Sequence, residues 1–226
     1  MKKTRLLNII FGILFLYSAI GISQNRERKS LLTIARIKYQ GGGDWYNDPT
    51  AIPNLLQFIK RETTIQTAVD EKKVEIMDQE LFSHPILFMT GHGKIYFSEE
   101  EAKRLRNYLI HGGFLLADDD YGMDNFFKAA MKKVFPDKDL VELPFYHPIY
   151  NSQFSFDNGL PKIHEHDGGP PQGYAIFHEG RMVVFYAYNT NISDGWADPE
   201  VHKDPQQVRL QALKMGTNII VYGLTN

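Results

Sequence analysis

Two short runs, residues 85–89 (PILFM) and 114–117 (FLLA), carry no polar side chain, and each is too short for an ordinary helix. A strand that is apolar at every position must be covered on both faces. That condition is met inside a parallel sheet, not in an antiparallel sheet with one wet side. Amphipathic patterns alternate with these runs. Ile52, Leu55, Leu56 and Ile59 recur at helical spacing behind a cap at Asp48 or Thr50, and Ala102, Leu105 and Leu109 follow Ser98 and Glu101, which are spaced as a capping box. Phe127, Met131 and Val134 share a face behind Asp124, and Gly112 and Gly113 close the helix before them. With residues 31–39 and 74–77 as further strands, the order is β-α-β-β-α-β-α. This predicts an α/β fold, a mostly parallel sheet with helices on both faces.

Residues 137–173 break the rhythm with prolines, glycines and four aromatics between Phe145 and Phe154, and read as an irregular insertion. Residues 174–178 and 182–188, with Glu179, Gly180 and Arg181 between them, then predict a C-terminal hairpin. Asp204 and Pro205 open a last helix with Val208, Ala212, Met215 and Ile219 on one face.

The first 23 residues read as a signal peptide. Lys2, Lys3 and Arg5 precede an apolar stretch over 6–22, and Gly21 and Ser23 supply small residues before a cut at Gln24. An uncleaved anchor is the alternative, but the densest apolar run, 9–17, falls short of the ~20 residues a spanning helix needs. Residues 24–30 read as a flexible lead-in and 31–226 as a single α/β domain, with a periplasmic or secreted location. Without the leader the chain has 22 Lys and Arg against 27 Asp and Glu, a formal charge of −5. That balance argues against nucleic acid and leaves the leader as the only expected membrane contact. Cysteine is absent, which removes disulfides, thiolate metal sites and a cysteine nucleophile.

Ligands of open parallel sheets bind beyond the carboxyl ends of the strands, where loop amides and helix amino termini converge. Three predicted strand ends are polar: Gly42, Asp44 and Trp45 after the first, Gly91, His92 and Gly93 after the third, and Asp118, Asp119, Asp120 and Tyr121 after the fourth. His92 between two glycines is placed either to meet a ligand or to hydrogen-bond within a tight turn. Three adjacent aspartates repel one another, and a divalent metal would relieve them, although caps and solvent also accommodate carboxylates. His147, His164, His166 and Asp167 offer nitrogen and oxygen donors for a separate metal site, or form a polar loop over the sheet. Trp45, Tyr46, Tyr121, Tyr146, Tyr150 and Trp196 lie in or beside these loops, suited to hold a sugar or to cover the core. Serine-elbow, phosphate-loop and dinucleotide signatures are absent.

Four segments, 36–46 (RIKYQGGGDWY), 89–93 (MTGHG), 105–109 (LRNYL) running to Gly112-Gly113-Phe114, and 160–166 (LPKIHEH), resemble the bacterial domain-of-unknown-function family 4159 over essentially the whole mature chain. The resemblance implies a flavodoxin-like, class I glutamine amidotransferase-like fold and no established activity. The amidotransferase nucleophile is a cysteine, so that chemistry has no carrier here. The leading expectation is a non-catalytic envelope module that binds an unknown ligand or protein at the strand-end cleft. A metal-assisted hydrolase acting on a carbohydrate or related envelope substrate, and a purely structural subunit, are the rivals.

Overall fold

The computed structural model describes residues 31–164 and 168–226; the expected leader and lead-in, and His166 and Asp167, lie outside the described residues. Seven strands form one sheet: β1 (Ile34–Ile37), β2 (Lys72–Val74), β3 (Ile86–Met89), β4 (Phe114–Asp118), β5 (Val141–Glu142), β6 (Gln172–His178) and β7 (Arg181–Tyr188). Their spatial order is β2-β1-β3-β4-β7-β6-β5. The five strands from β2 to β7 run parallel, with Leu87 beside Leu115 and Met89 beside Ala117, and β6 and β5 add antiparallel to β7. The chain goes from β1 to one side and then returns to the other, so the strand order reverses between β1 and β3. That reversal opens a crevice at their carboxyl ends.

The pleat sorts side chains onto two faces. Ala35, Leu87, Met89, Leu115 and Ala117 face α2 (Glu99–Ile110) and α3 (Asp124–Val134), packing on Leu105, Leu109, Phe127 and Met131. Ile34, Ile86, Phe88, Phe114 and Leu116 face α1 (Ala51–Glu62) and the last helix, packing on Leu55, Ile59, Met215 and Ile219. Ile86–Met89 of the first run and all of FLLA are thus covered on both sides, as their composition requires, and only Pro85 ahead of β3 is exposed. A four-residue helix, α4 (Pro199–His202), precedes that last helix, α5 (Gln206–Thr225). A Cβ added at Gly216 of α5 would stand 2.7 Å from the Trp196 ring, so a glycine lets the helix close onto the buried indole.

The described part of residues 137–173 holds more order than expected. They supply the edge strand β5 and a 3-10 turn, Pro148–Asn151, that buries Ile149 and Tyr150. Asn218 of α5 ties this segment down: its amide donates to the Tyr150 and Phe154 carbonyls, and its oxygen accepts from the Gln153 and Phe154 amides. A fully buried asparagine with four partners stabilises what an orphaned one would disrupt.

Capping follows expectation at one helix only. Ser98 and Glu101 form the reciprocal box at α2. No side chain caps α1, α3 or α5. The Thr50 hydroxyl accepts from the Asp198 amide instead, while the Asp48 and Asp204 carboxylates turn toward histidines at the end of the sheet.

Candidate functional site

The loops after β1, β3, β4 and β7 meet at the carboxyl rim of the sheet. Arg36, buried in β1, shapes the first of them. Its guanidinium lies over the Phe88 ring, pairs with Glu71 at 2.8 Å, and donates to the carbonyls of Trp45, Asn47 and Asp48. This fan of bonds sets the backbone that presents Asp44, Asn47 and Asp48, with Asp48 held at φ 44°.

Asp44 reaches the third strand end. Its carboxylate accepts the His92 amide at 2.5 Å and lies 3.0 Å from the His92 Nδ1. Burial opposes ionisation of Asp44, but the backbone and ring bonds from His92 outweigh it and hold the pKa below the ordinary value. Close approach needs Gly91, where φ is 136° and an added Cβ would fall 2.3 Å from the Tyr39 hydroxyl. That hydroxyl donates to the Thr90 carbonyl. Gly42 and Gly93, also at positive φ, border open space on either side. His92 pairs with Tyr121 in a parallel bridge beyond the ends of β3 and β4, and its Nδ1 is 3.4 Å from Asp120.

The three consecutive aspartates do three different things. Asp118, fully buried, accepts from the Ile192 and Ser193 amides and the Ser193 hydroxyl, anchoring the loop after β7. Asp119 accepts the Met123 amide ahead of α3. Asp120 alone faces the rim, where the Asn47 and Asn191 side-chain amides donate to it. Burial moves the Asp118 carboxyl up to about 7 against its Ser193 bonds. Burial, with Asp194 and Asp118 nearby, moves Asp120 up to about 9.

Beyond Asp120 lies a second cluster. His164 Nδ1 is 2.6 Å from Asp194 and its Nε2 2.8 Å from Asp204; the Asp194 bond, with Asp204 adding against burial, lifts the imidazole to about 9. His202 on α4 is 2.9 Å from Asp48 and 3.8 Å from Asp194. Burial works against the Asp194 charge, but His164 and His202 prevail and keep its pKa low. Asp48 goes the other way, raised by burial and by Asp194 despite His202. Ligand atoms of His164, Asp194 and His202 lie within 4.8 Å of one another, as do those of Asp48, Asp120 and Asp194. Asn189 and Asn191 at φ near 50°, and Lys203 between His202 and Asp204, place the backbone in the left-handed region around this cluster.

Of the expected metal set, the two described members, His147 and His164, lie far apart. His147 sits against the rings of Phe177 and Tyr222, near the start of β7 and so at the other end of the sheet, and burial lowers its pKa. Of the four residues, His164 alone reaches the rim among the described residues. Asp48, Asn47, Asn191, Asp194, His202 and Asp204 were not anticipated. The signal for two of them, Asn191 and Asp194, was available: the mostly polar run Asn189–Asp194 follows an apolar strand, as at the other three strand ends. A groove of about 380 Å³ between α3 and β6 includes none of these residues, and its Lys128 and Lys132 are already paired with Asp124 and Asp139. No described helix is long and apolar enough to cross a membrane.

No curated protein matches the chain. A family model, described as a domain of unknown function (DUF4159), matches residues 33–224, which takes in every strand and every rim residue described above. The chain belongs to the DUF4159 family.

Proposed function

We propose that this chain is an exported, non-catalytic binding module of the amidotransferase-like, flavodoxin-like kind, taking a polar envelope ligand at the carboxyl rim of its sheet. The observation that carries the reading is the Asp44–His92 pair: two loops far apart in sequence converge on an exposed imidazole ringed by polar strand ends. Support for the fold kinship comes from the first four strands, which lie in the order 2-1-3-4 known from flavodoxin-like sheets, with the crevice at their switch point. Tyr46, Tyr96 and Tyr121 stand exposed on the rim loops, and Trp45 packs edge-on against Tyr46. Aromatic faces beside carboxylates suit a saccharide, whose C–H faces stack while its hydroxyls meet charge. Periplasmic or secreted placement rests on the leader pattern.

Trp45 provides the assay, because the other tryptophan, Trp196, is fully buried. Titration with neutral and amino-sugar oligosaccharides should change the Trp45 fluorescence, and His92→Ala and Tyr121→Ala should weaken binding at least tenfold while circular dichroism stays unchanged. Saturable binding that both variants leave intact would place the ligand elsewhere. Should turnover of a bound saccharide appear, the non-catalytic part of the reading fails and metal-assisted hydrolysis takes its place.

A further inference from the structure

Five donors brought together from four separate segments stand out among the described residues: Asp48 after β1, Asp120 after β4, His164 ahead of β6, and Asp194 and His202 after β7. Asp194 is common to both groups of three. A cation bonded at about 2.1 Å to imidazole and carboxylate donors spaces them roughly 3 to 4 Å apart, and each group lies within 4.8 Å.

Proximity of acids alone would not suffice, but a second feature points to a ligand. The Asp194 side chain is 3% exposed, yet its Oδ1 is buried and meets no hydrogen-bond donor among the described residues. A buried carboxylate oxygen without a donor is costly. The outer layer has the form metal sites use: Asp204 holds the Nε2 of His164, which leaves the Nδ1 directed at Asp194, and Asn191 donates to both Asp120 and Asp194. Carboxylate-backed histidines of this kind orient metal ligands.

We propose that Asp48, Asp120, Asp194, His164 and His202 form a binding site for a divalent transition-metal ion, Zn²⁺ or Mn²⁺ in preference to Mg²⁺ or Ca²⁺. The mixed imidazole and carboxylate donors set that preference, since magnesium and calcium favour all-oxygen shells. The proposal deepens the reading of the rim as a binding site and rests on it.

The test is calorimetric titration of the chelator-treated full-length protein with Zn²⁺, Mn²⁺, Mg²⁺ and Ca²⁺ alone, with elemental analysis of the dialysed product. One Zn²⁺ or Mn²⁺ per chain is expected, lost in Asp194→Asn and weakened at least tenfold in His202→Ala. His147→Ala, at the other end of the sheet, should bind as the wild type does. Because Asp194→Asn can unfold a buried network, each variant is checked by circular dichroism, and the more exposed His202 carries the test if Asp194→Asn fails. Absence of stoichiometric metal, binding indifferent to both rim variants, or selectivity for Ca²⁺ or Mg²⁺ would overturn the proposal. Saccharide binding in a protein that takes up no stoichiometric metal refutes the cation alone, whereas metal binding without any saccharide response refutes the earlier reading alone.

Discussion

Asp118 is the residue through which the fold delivers half of the rim, and its removal gives the sharpest test of that architecture. It accepts from the Ile192 amide at 3.2 Å, the Ser193 amide at 2.7 Å and the Ser193 hydroxyl at 2.6 Å, with no exposure to water. Asp118→Ala leaves three buried donors without an acceptor. At about 1 to 2 kcal/mol each after relaxation, the loss sums to about 3 to 6 kcal/mol, a large part of the ~5–15 kcal/mol that holds a domain folded. With a urea slope of about 2 kcal/mol per molar, the denaturation midpoint should fall by about 2 M at pH 5. Asp118→Asn keeps one acceptor and sets an NH₂ against a donor, at a cost of about 1 kcal/mol.

The pH dependence of the asparagine variant adds a signed check. The folded carboxyl sits at about 7 and the unfolded one at 3.8, so between those values the folded chain binds more protons. Wild-type stability therefore loses this group's contribution as pH rises through the window, and the deficit of Asp118→Asn should narrow from pH 4 to pH 7. An alanine variant within about 1 kcal/mol of wild type, or an asparagine deficit that stays constant or widens with pH, would refute the role assigned to this carboxyl.

Arg36→Lys should cost about 3 kcal/mol in urea denaturation, because an ammonium cannot reach Glu71 and three carbonyls together; the same variant should weaken saccharide binding at Trp45. Gly91→Ala should destabilise by about 2 to 4 kcal/mol, and Tyr39→Phe in the same chain should recover part of that, since the tyrosine hydroxyl is the nearest obstacle. His84, 6% exposed with its Nδ1 on Thr33 and its pKa lowered by burial, takes up its proton more readily unfolded. Stability should thus decline as pH falls below about 6.5, and His84→Gln should flatten that limb in urea melts between pH 7 and pH 5.

The βα order, the two strands buried on both faces, the α2 capping box and the C-terminal hairpin were legible in the sequence because each depends on neighbours within a few residues. PILFM and FLLA state their burial outright, and Ser98 meets Glu101 three positions on. The meeting of His92 with Asp120 could be anticipated too, since parallel β3 and β4 must end on one side. Inside a strand, however, Arg36 gave no sign of its role, and Asp48 and Asp204 looked like caps.

What only tertiary structure decided is which carboxylate faces which partner. His202 meets Asp48 across 154 residues, Asp120 meets Asn191 across 71, and His164 meets Asp204 across 40. Such pairs leave no periodic trace, because their spacing is set by where β7 falls in the sheet and not by any local turn. The pleat further splits the aspartate triplet, turning Asp119 toward the start of α3, while Asp118 inside the strand is buried and Asp120 past its end reaches the rim. Local physics wrote the scaffold into the chain, and strand order alone brought the rim's charges within reach of one another.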